Sequence, residues 1–197
     1  MALILFDILA IFIAIALAVS LRKIFNIFFD VPVIDYSYLS FGSAYITLIF
    51  ILGYFGIYTK RFDFWHETKL VIRSSFLSFA ILLAGLVLDQ NAEYYSRSTL
   101  ILIFLLTTIT IPSTKLITKK LLYKIGIWKK TAKVITDNEN FKSTLFEDYY
   151  LGYVKSSDSN HNTLFIDSVN LSKDKLNKII EENIKNSREI IFTPVLS

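Results

Sequence analysis

The residues that most often carry out bond-making chemistry are scarce in this chain. It has no cysteine and only two histidines, His66 and His161, which lie far apart in sequence. A thiolate nucleophile, a disulfide and a thiolate metal site are therefore excluded, and we expect no histidine-based metal site within one chain. His66-Glu67 begins like the helix motif of zinc proteases, but Leu70 stands where the second histidine must be.

Acid–base pairs and phosphate-binding turns are equally hard to find. No aspartate is followed directly by a glutamate; Glu147-Asp148 is the nearest approach, in reverse order and without an apolar helix beside it. The turn Thr136–Asn140 has no glycine and carries two carboxylates. A close approach of its backbone to a nucleotide phosphate is therefore not expected. We predict no catalytic, cofactor-binding or metal-binding residue in this chain.

Lysines are the remaining candidates, and they concentrate in one part of the chain. Up to Lys133 there are 14 Lys and Arg against 7 Asp and Glu, a net of +7, whereas from Val134 onward the balance is 7 against 10, a net of −3. The basic residues lie beside apolar stretches, so we expect membrane lipid rather than nucleic acid as a partner. Four of them could contact the phosphate of a polyprenyl lipid or, as we favour, act as topology and general anionic-lipid charges: Lys115, Lys119, Lys120 and Lys124.

Four apolar stretches must position these lysines. Each is about 18–20 residues long, which at ~1.5 Å per residue approaches the ~30 Å hydrocarbon core of a bilayer. None shows the alternation of a barrel strand, so we predict four transmembrane helices within residues 1–117. Their approximate bounds are Leu3–Leu21, Leu39–Tyr58, Val71–Leu88 and Thr99–Ile117.

The first stretch leaves two alternatives. Ala16-Leu17-Ala18 resembles a signal-peptidase site, but no lysine or arginine precedes the stretch and more spans follow, so we favour a retained helix. Asp7 is either a functional intramembrane acid or, as we favour, an interfacial residue near the cytoplasmic end of the helix.

The distribution of positive charge orients the predicted helices. Eleven Lys and Arg lie in the loop between the second and third spans or follow the fourth, whereas only Arg22 and Lys23 follow the first. The positive-inside rule then puts both termini in the cytoplasm.

Beyond the spans the sequence changes its period. Residues 118–132 predict a basic juxtamembrane helix on an anionic leaflet, ending near Gly126. Residues 133–197 alternate short apolar strands with helical patterns, which favours an α/β, Rossmann-like cytoplasmic module. About 65 residues are few for a doubly wound sheet, so we expect a truncated module or strands supplied by partner chains. The predicted strands are Lys133–Thr136, Tyr149–Val154, Thr163–Ile166 and Glu189–Thr193, with a helix that Ser172 caps and that buries Leu176, Ile179, Ile180 and Ile184.

Several short signals occur in an order that is similar to a known family. They are Gly56-Ile57-Tyr58, the loop from Arg61 through Phe64 and Trp65 to Glu67, Ser96-Arg97 before the fourth span, and Gly126-Ile127-Trp128 before the first strand. Taken in order, they resemble the N-terminal half of the large polyprenyl-phosphate sugar-1-phosphate transferases, over essentially the whole chain. The loop of Arg61, Trp65 and Glu67 could contact substrate or a catalytic domain; we favour a positive-inside loop with an interfacial tryptophan anchor.

The resemblance implies a bacterial inner-membrane protein whose four helices precede a Rossmann-like module. In that family a C-terminal domain with an Asp-Glu pair and Mg²⁺ transfers a phosphosugar from a nucleotide sugar to undecaprenyl phosphate. That domain is absent here, so the resemblance implies an anchoring or regulatory part that is not catalytic alone, with the catalytic domain, glycan-assembly proteins or a second copy as partners.

Two other functions stay open at this point. Membrane-bound nucleotide-sugar dehydratases or epimerases have a similar four-helix front end, but they need a Gly-rich turn and a Tyr-x-x-x-Lys pair, and Lys155 is not at that spacing from any tyrosine. A non-enzymatic scaffold of glycan assembly needs neither feature.

Overall fold

The structure is a computed structural model that describes most of the chain, and its residues form two compact units. It describes residues 2–25, 42–88, 96–136, 139–156, 161–167, 173–184 and 187–193. One unit comprises Met1–Thr118 and the other Lys119–Ser197. The helices of the first unit are α1 (Ala2–Phe25), α2 (Gly42–Tyr54), α3 (Phe64–Leu88) and α4 (Arg97–Lys124), and α4 extends into the second unit.

Three of the four predicted spans correspond to helices that can cross a bilayer. Helices α1, α3 and α4 contain apolar segments of 23, 25 and 27 residues, each longer than the ~20 residues a span needs. Helix α2 has only 13 residues, which at ~1.5 Å per residue reach about two-thirds of the hydrocarbon core. Four transmembrane helices are therefore not confirmed; residues 39–41 of the second predicted span lie outside the described residues.

Helix α2 ends earlier than predicted because Gly56 reverses the backbone. Gly56 has φ of 77°, a left-handed conformation that glycine adopts without a Cβ clash. Its N–H donates to the Gly53 carbonyl at 2.9 Å, and the N–H of Ile57 donates to the Leu52 carbonyl at 3.2 Å. These two bonds form a Schellman motif, which satisfies the last carbonyls of the helix. Tyr58 consequently lies in a turn rather than in the helix.

Small residues let α1 pack closely within the first unit. Ala10, Ala14 and Ala18 recur every fourth residue and are fully buried, so they share one face of the helix. The Thr110 hydroxyl of α4 donates to the Ala10 carbonyl at 3.4 Å. Alanine at such a position allows two helix backbones to approach, which is how helices in lipid gain packing energy.

Helix α4 continues past the predicted end of the fourth span. It contains Pro112 and runs without interruption to Lys124, so residues 118–124 of the predicted juxtamembrane helix form its last turns. Gly126, with φ of 83°, follows the helix and its N–H donates to the Tyr123 carbonyl at 3.1 Å.

The second unit contains a four-stranded, fully parallel sheet. Its elements are β1 (Lys130–Ile135), α5 (Glu139–Glu147), β2 (Tyr153–Lys155), β3 (His161–Asp167), α6 (Lys173–Asn183) and β4 (Ser187–Thr193). The strand order is β2-β1-β3-β4. The central strand β3 is buried from Thr163 to Ile166, which is the continuous apolar pattern of a parallel strand covered on both faces.

Helices α5 and α6 pack on opposite faces of this sheet. Phe165 points to the face where its ring meets Phe141 of α5, with centroids 6.4 Å apart. The neighbouring position Leu164 pairs in register with Lys133, whose ammonium donates to the Asn183 side chain of α6 at 3.1 Å. Because side chains alternate along a strand, these contacts belong to opposite faces.

Each predicted strand overlaps an observed one, with shifted bounds. Strand β2 is shorter than predicted, because residues 149–152 form a turn that ends at Gly152 with φ of 68°. The Asp148 carboxylate accepts the Tyr150 N–H at 2.8 Å and fixes the start of that turn. The predicted cap Ser172 lies outside the described residues, and so do Asp137 and Asn138 of the glycine-free turn.

Candidate functional site

Two acids and one lysine meet inside the helical unit. The Lys115 ammonium of α4 donates to Asp7 Oδ2 of α1 at 2.8 Å and lies 3.5 Å from Glu67 Oε1 of α3. All three side chains are 1% exposed. Asp7, Glu67, Lys115 and Tyr58 are called the buried ion cluster below.

Tyr58 completes the cluster from the turn after α2. Its hydroxyl donates to Asp7 Oδ2 at 2.9 Å, so one carboxylate oxygen accepts from both an ammonium and a phenol. The Lys115 ammonium also lies over the Tyr58 ring, 5.3 Å from its centroid. This arrangement combines a charge-assisted hydrogen bond with a cation–π contact.

Local sequence explains how each element presents its member of the cluster. The Schellman turn at Gly56 directs the chain back after α2 and leaves Tyr58 two residues later. Asp63 then caps α3, because its carboxylate accepts the His66 N–H at 3.0 Å. Glu67 follows one turn into that helix and its N–H donates to the Asp63 carbonyl at 3.0 Å. The cap therefore fixes where Glu67 stands on α3.

The charge count of the cluster decides what it can do. Burying an ion in a medium of low dielectric costs on the order of several kcal/mol, and only pairing with an opposite charge and hydrogen bonds offset that cost. Here one ammonium faces two carboxylates, and it joins three helices that are distant in sequence. Such a cluster fixes the register of α1, α3 and α4, and it has no nucleophile paired with a general base. Among the described residues, no group of three His, Cys, Asp or Glu side chains could hold a metal.

The structure brings together residues that sequence patterns predict separately. Tyr58 and Glu67 come from the family-motif residues and Lys115 from the possible lipid-phosphate contacts, whereas an interfacial position is the sequence expectation for Asp7. Asp7 and Lys115 are buried because each neutralises the other inside the bundle. The sequence did contain a signal for this pair. Asp7 near the start of the first predicted span and Lys115 near the end of the fourth have opposite charges, and both are predicted to lie near the cytoplasmic side of the membrane.

Other predicted loop residues stay outside the cluster. Trp65 is 72% exposed, which agrees with an anchor at a membrane surface, and its ring meets Phe64 at 5.2 Å. Arg61 is half-buried. Ser96 precedes α4, and its carbonyl accepts the Leu100 N–H at 3.1 Å, whereas the Arg97 side chain lies outside the described residues.

The other three lysines separate into one buried and two exposed residues. Lys119 is 1% exposed, and its ammonium lies 3.8 Å from the Tyr150 ring centroid and 5.0 Å from that of Trp128. The Trp128 indole N–H donates to the Tyr150 carbonyl at 2.8 Å. Lys115 and Lys119 are therefore buried against partners inside the chain, whereas the sequence-based prediction treats them as contacts to lipid. Lys120 and Lys124 are exposed.

Serines line a small cavity between the helices of the first unit. Its volume is about 40 Å³, and Ser75, Ser78 and Thr107 border it together with apolar side chains. The buried Ser75 hydroxyl has no hydrogen-bond partner among the described residues.

Comparison with known proteins adds one relative. No family model matches the chain. The chain is 29% identical, over 118 residues, to undecaprenyl-phosphate galactose phosphotransferase of Salmonella typhimurium strain LT2. The matched part is 56% of this chain and 24% of that protein, so the chain spans about a quarter of the relative's length. This distant similarity, together with three apolar helices of spanning length, supports a membrane protein related to such transferases.

Proposed function

We propose that this chain is the membrane-anchoring and regulatory N-terminal part of an undecaprenyl-phosphate sugar phosphotransferase, one that starts lipid-linked polysaccharide synthesis at the bacterial inner membrane. The similarity over 118 residues to a galactose phosphotransferase of this kind carries the proposal. The helical unit would anchor the enzyme, and the parallel sheet would be its Rossmann-like module. Catalysis and Mg²⁺ binding are assigned to a separate domain with an Asp-Glu pair.

The buried ion cluster fits an anchoring role better than a catalytic one. Its ions are paired with each other, and none is exposed to a substrate in solution. A residue set that fixes helix register gives a partner domain a constant platform. We therefore assign regulation to the shape and stability of the platform, and not to a reacting group.

The proposal is tested by supplying this chain in trans. The chain and a catalytic domain from the same genome are co-expressed, and transfer of sugar phosphate to undecaprenyl phosphate is measured in membranes with a radiolabelled nucleotide sugar. We expect co-purification of the two and a change in transfer rate compared with the catalytic domain alone. Lys115→Met should reduce the effect, whereas Lys69→Met, at an exposed position of α3, should leave it unchanged.

Three results would count against the proposal. An unchanged rate without co-purification removes its main support. Binding of NAD to the purified chain would favour the dehydratase or epimerase alternative. Crosslinking to several glycan-assembly proteins, with no effect on transfer, would favour a scaffold.

A further inference from the structure

The end of α4 and the turn after it present a second candidate site on the surface. Residues 98–136 contain seven lysines and no Asp or Glu. The structure gives six of these lysines partners inside the chain. Lys115 pairs with Asp7, Lys119 packs on Tyr150, Lys130 pairs with Glu189, and Lys133 bonds to Asn183. The ammonium groups of Lys120 and Lys129 lie 5.9 and 5.0 Å from the ring centroids of Tyr149 and Tyr123, although both lysines stay exposed.

Three of the seven lysines stand at exposed positions beside exposed apolar side chains. Lys120, Lys124 and Lys129 face outward, and so do Leu121 at 49% exposure and Ile125 and Ile127 at 67% each. Lys120 and Lys124 are one helical turn apart, so they lie on the same side of α4, and Leu121 is next to Lys120. Ile125 and Ile127 follow α4 in the turn that contains Gly126, which has φ of 83°.

This combination of chemistries selects one kind of partner. Large exposed aliphatic side chains beside lysines, in a stretch of sequence without Asp or Glu, match the boundary between headgroups and acyl chains of an anionic leaflet. The surface also continues directly from an apolar segment, Ser98–Lys124, that is long enough to cross a membrane. A soluble acidic protein would satisfy the lysines but gives no reason for the isoleucines in a turn.

We propose that Lys120, Lys124, Lys129, Leu121, Ile125 and Ile127 form an anionic-lipid docking surface that inserts its isoleucines at headgroup level. The ligand is the phosphodiester of bulk anionic phospholipid, not a single carrier-lipid molecule. The docking surface does not depend on the sugar chemistry proposed above, so its failure and that of the transferase proposal can be told apart.

The absence of native cysteine makes a clean test possible. Ile127→Cys is labelled with bimane, and the full chain is reconstituted in nanodiscs of phosphatidylcholine, of phosphatidylglycerol mixtures, and of phosphatidylcholine with a trace of polyprenyl phosphate. Quenching by brominated lipid gives the association constant of phosphatidylglycerol relative to phosphatidylcholine. We expect a clear preference for phosphatidylglycerol that weakens with salt and falls by up to about fivefold for each docking-surface lysine changed to Gln.

A matched variant separates local contact from net charge. A triple variant removes an equal number of positive charges from exposed positions elsewhere in the second unit: Lys155→Gln, Lys178→Gln and Arg188→Gln. This variant should keep the preference for phosphatidylglycerol. Equal quenching by both phospholipids would overturn the anionic component. Quenching that requires polyprenyl phosphate would replace bulk lipid by a carrier-lipid site, and no quenching in any nanodisc would overturn the docking surface altogether.

Discussion

At the residue scale, replacing Lys115 is expected to lower the stability of the chain the most. Lys115→Met keeps most of the length of the unbranched side chain but leaves Asp7 and Glu67 as two buried carboxylates without their ammonium. Breaking a buried pair on one side costs on the order of 3–5 kcal/mol, so we expect a marked fall in the thermal midpoint of the detergent-solubilised chain. Lys124→Met, exposed on the same helix, should change the free energy of unfolding by less than about 0.5 kcal/mol.

The double variant Asp7→Asn with Lys115→Met tests the pairing itself. Removing both charges should recover part of the stability that Lys115→Met loses, because one buried carboxylate, Glu67, is then left without an ammonium instead of two. If the two changes simply add, Asp7 and Lys115 do not interact in the folded chain.

Replacing Tyr58 should lower the stability of the chain by less than replacing Lys115. Tyr58→Phe removes the hydroxyl that donates to Asp7 at 2.9 Å, and a hydrogen bond to a charged group contributes about 1.5–3 kcal/mol. Tyr54→Phe is the control, since Tyr54 is the last residue of α2, four residues before Tyr58, and is 80% exposed. Thermal unfolding of the two variants should differ by several degrees, and equal midpoints would contradict the role given to the Tyr58 hydroxyl.

At the element scale, two glycines of opposite character test how the helices end. Gly126 has φ of 83°, whereas Gly85 lies in α3 with open space around it. Gly126→Ala should destabilise the chain by about 1–2 kcal/mol, because an L side chain is strained there although nothing obstructs it. Gly85→Ala should stabilise it by up to about 1 kcal/mol through helix propensity. Unfolding midpoints of the same sign would be inconsistent with these backbone conformations.

The helices and strands were only partly predictable from the sequence. Hydropathy located α1, α3 and α4 because long apolar runs need no knowledge of packing, and the tail's strands followed from short apolar runs between polar ones. The end of α2 at Tyr54 was missed, since Ile57 and Tyr58 continue the apolar run and only the conformation of Gly56 stops the helix. The buried ion cluster was missed because hydropathy treats Asp7 and Lys115 separately, whereas burial depends on their meeting across two helices.

At the scale of the whole molecule, orientation in the membrane is the prediction that ties the spans to a function. The lysines at the end of α4 and in the segment after it predict a cytoplasmic C-terminal unit under the positive-inside rule. Since the chain has no cysteine, single cysteines report topology without background. Lys178→Cys, exposed on α6, should resist a membrane-impermeant maleimide in intact cells and react after permeabilisation. Asn91→Cys, in the loop predicted to be outside, should react in intact cells.

This labelling pattern also distinguishes four crossings from three. Two outer loops and a cytoplasmic segment between α2 and α3 require α2 to cross the membrane, although its 13 described residues are short for a span. Lys60→Cys, exposed after α2, should then be protected in intact cells as Lys178→Cys is. If Lys60→Cys is protected while Met1→Cys, placed after a new start methionine, reacts from outside, then α1 crosses and α2 does not. An odd number of crossings would put the two termini on opposite sides of the membrane.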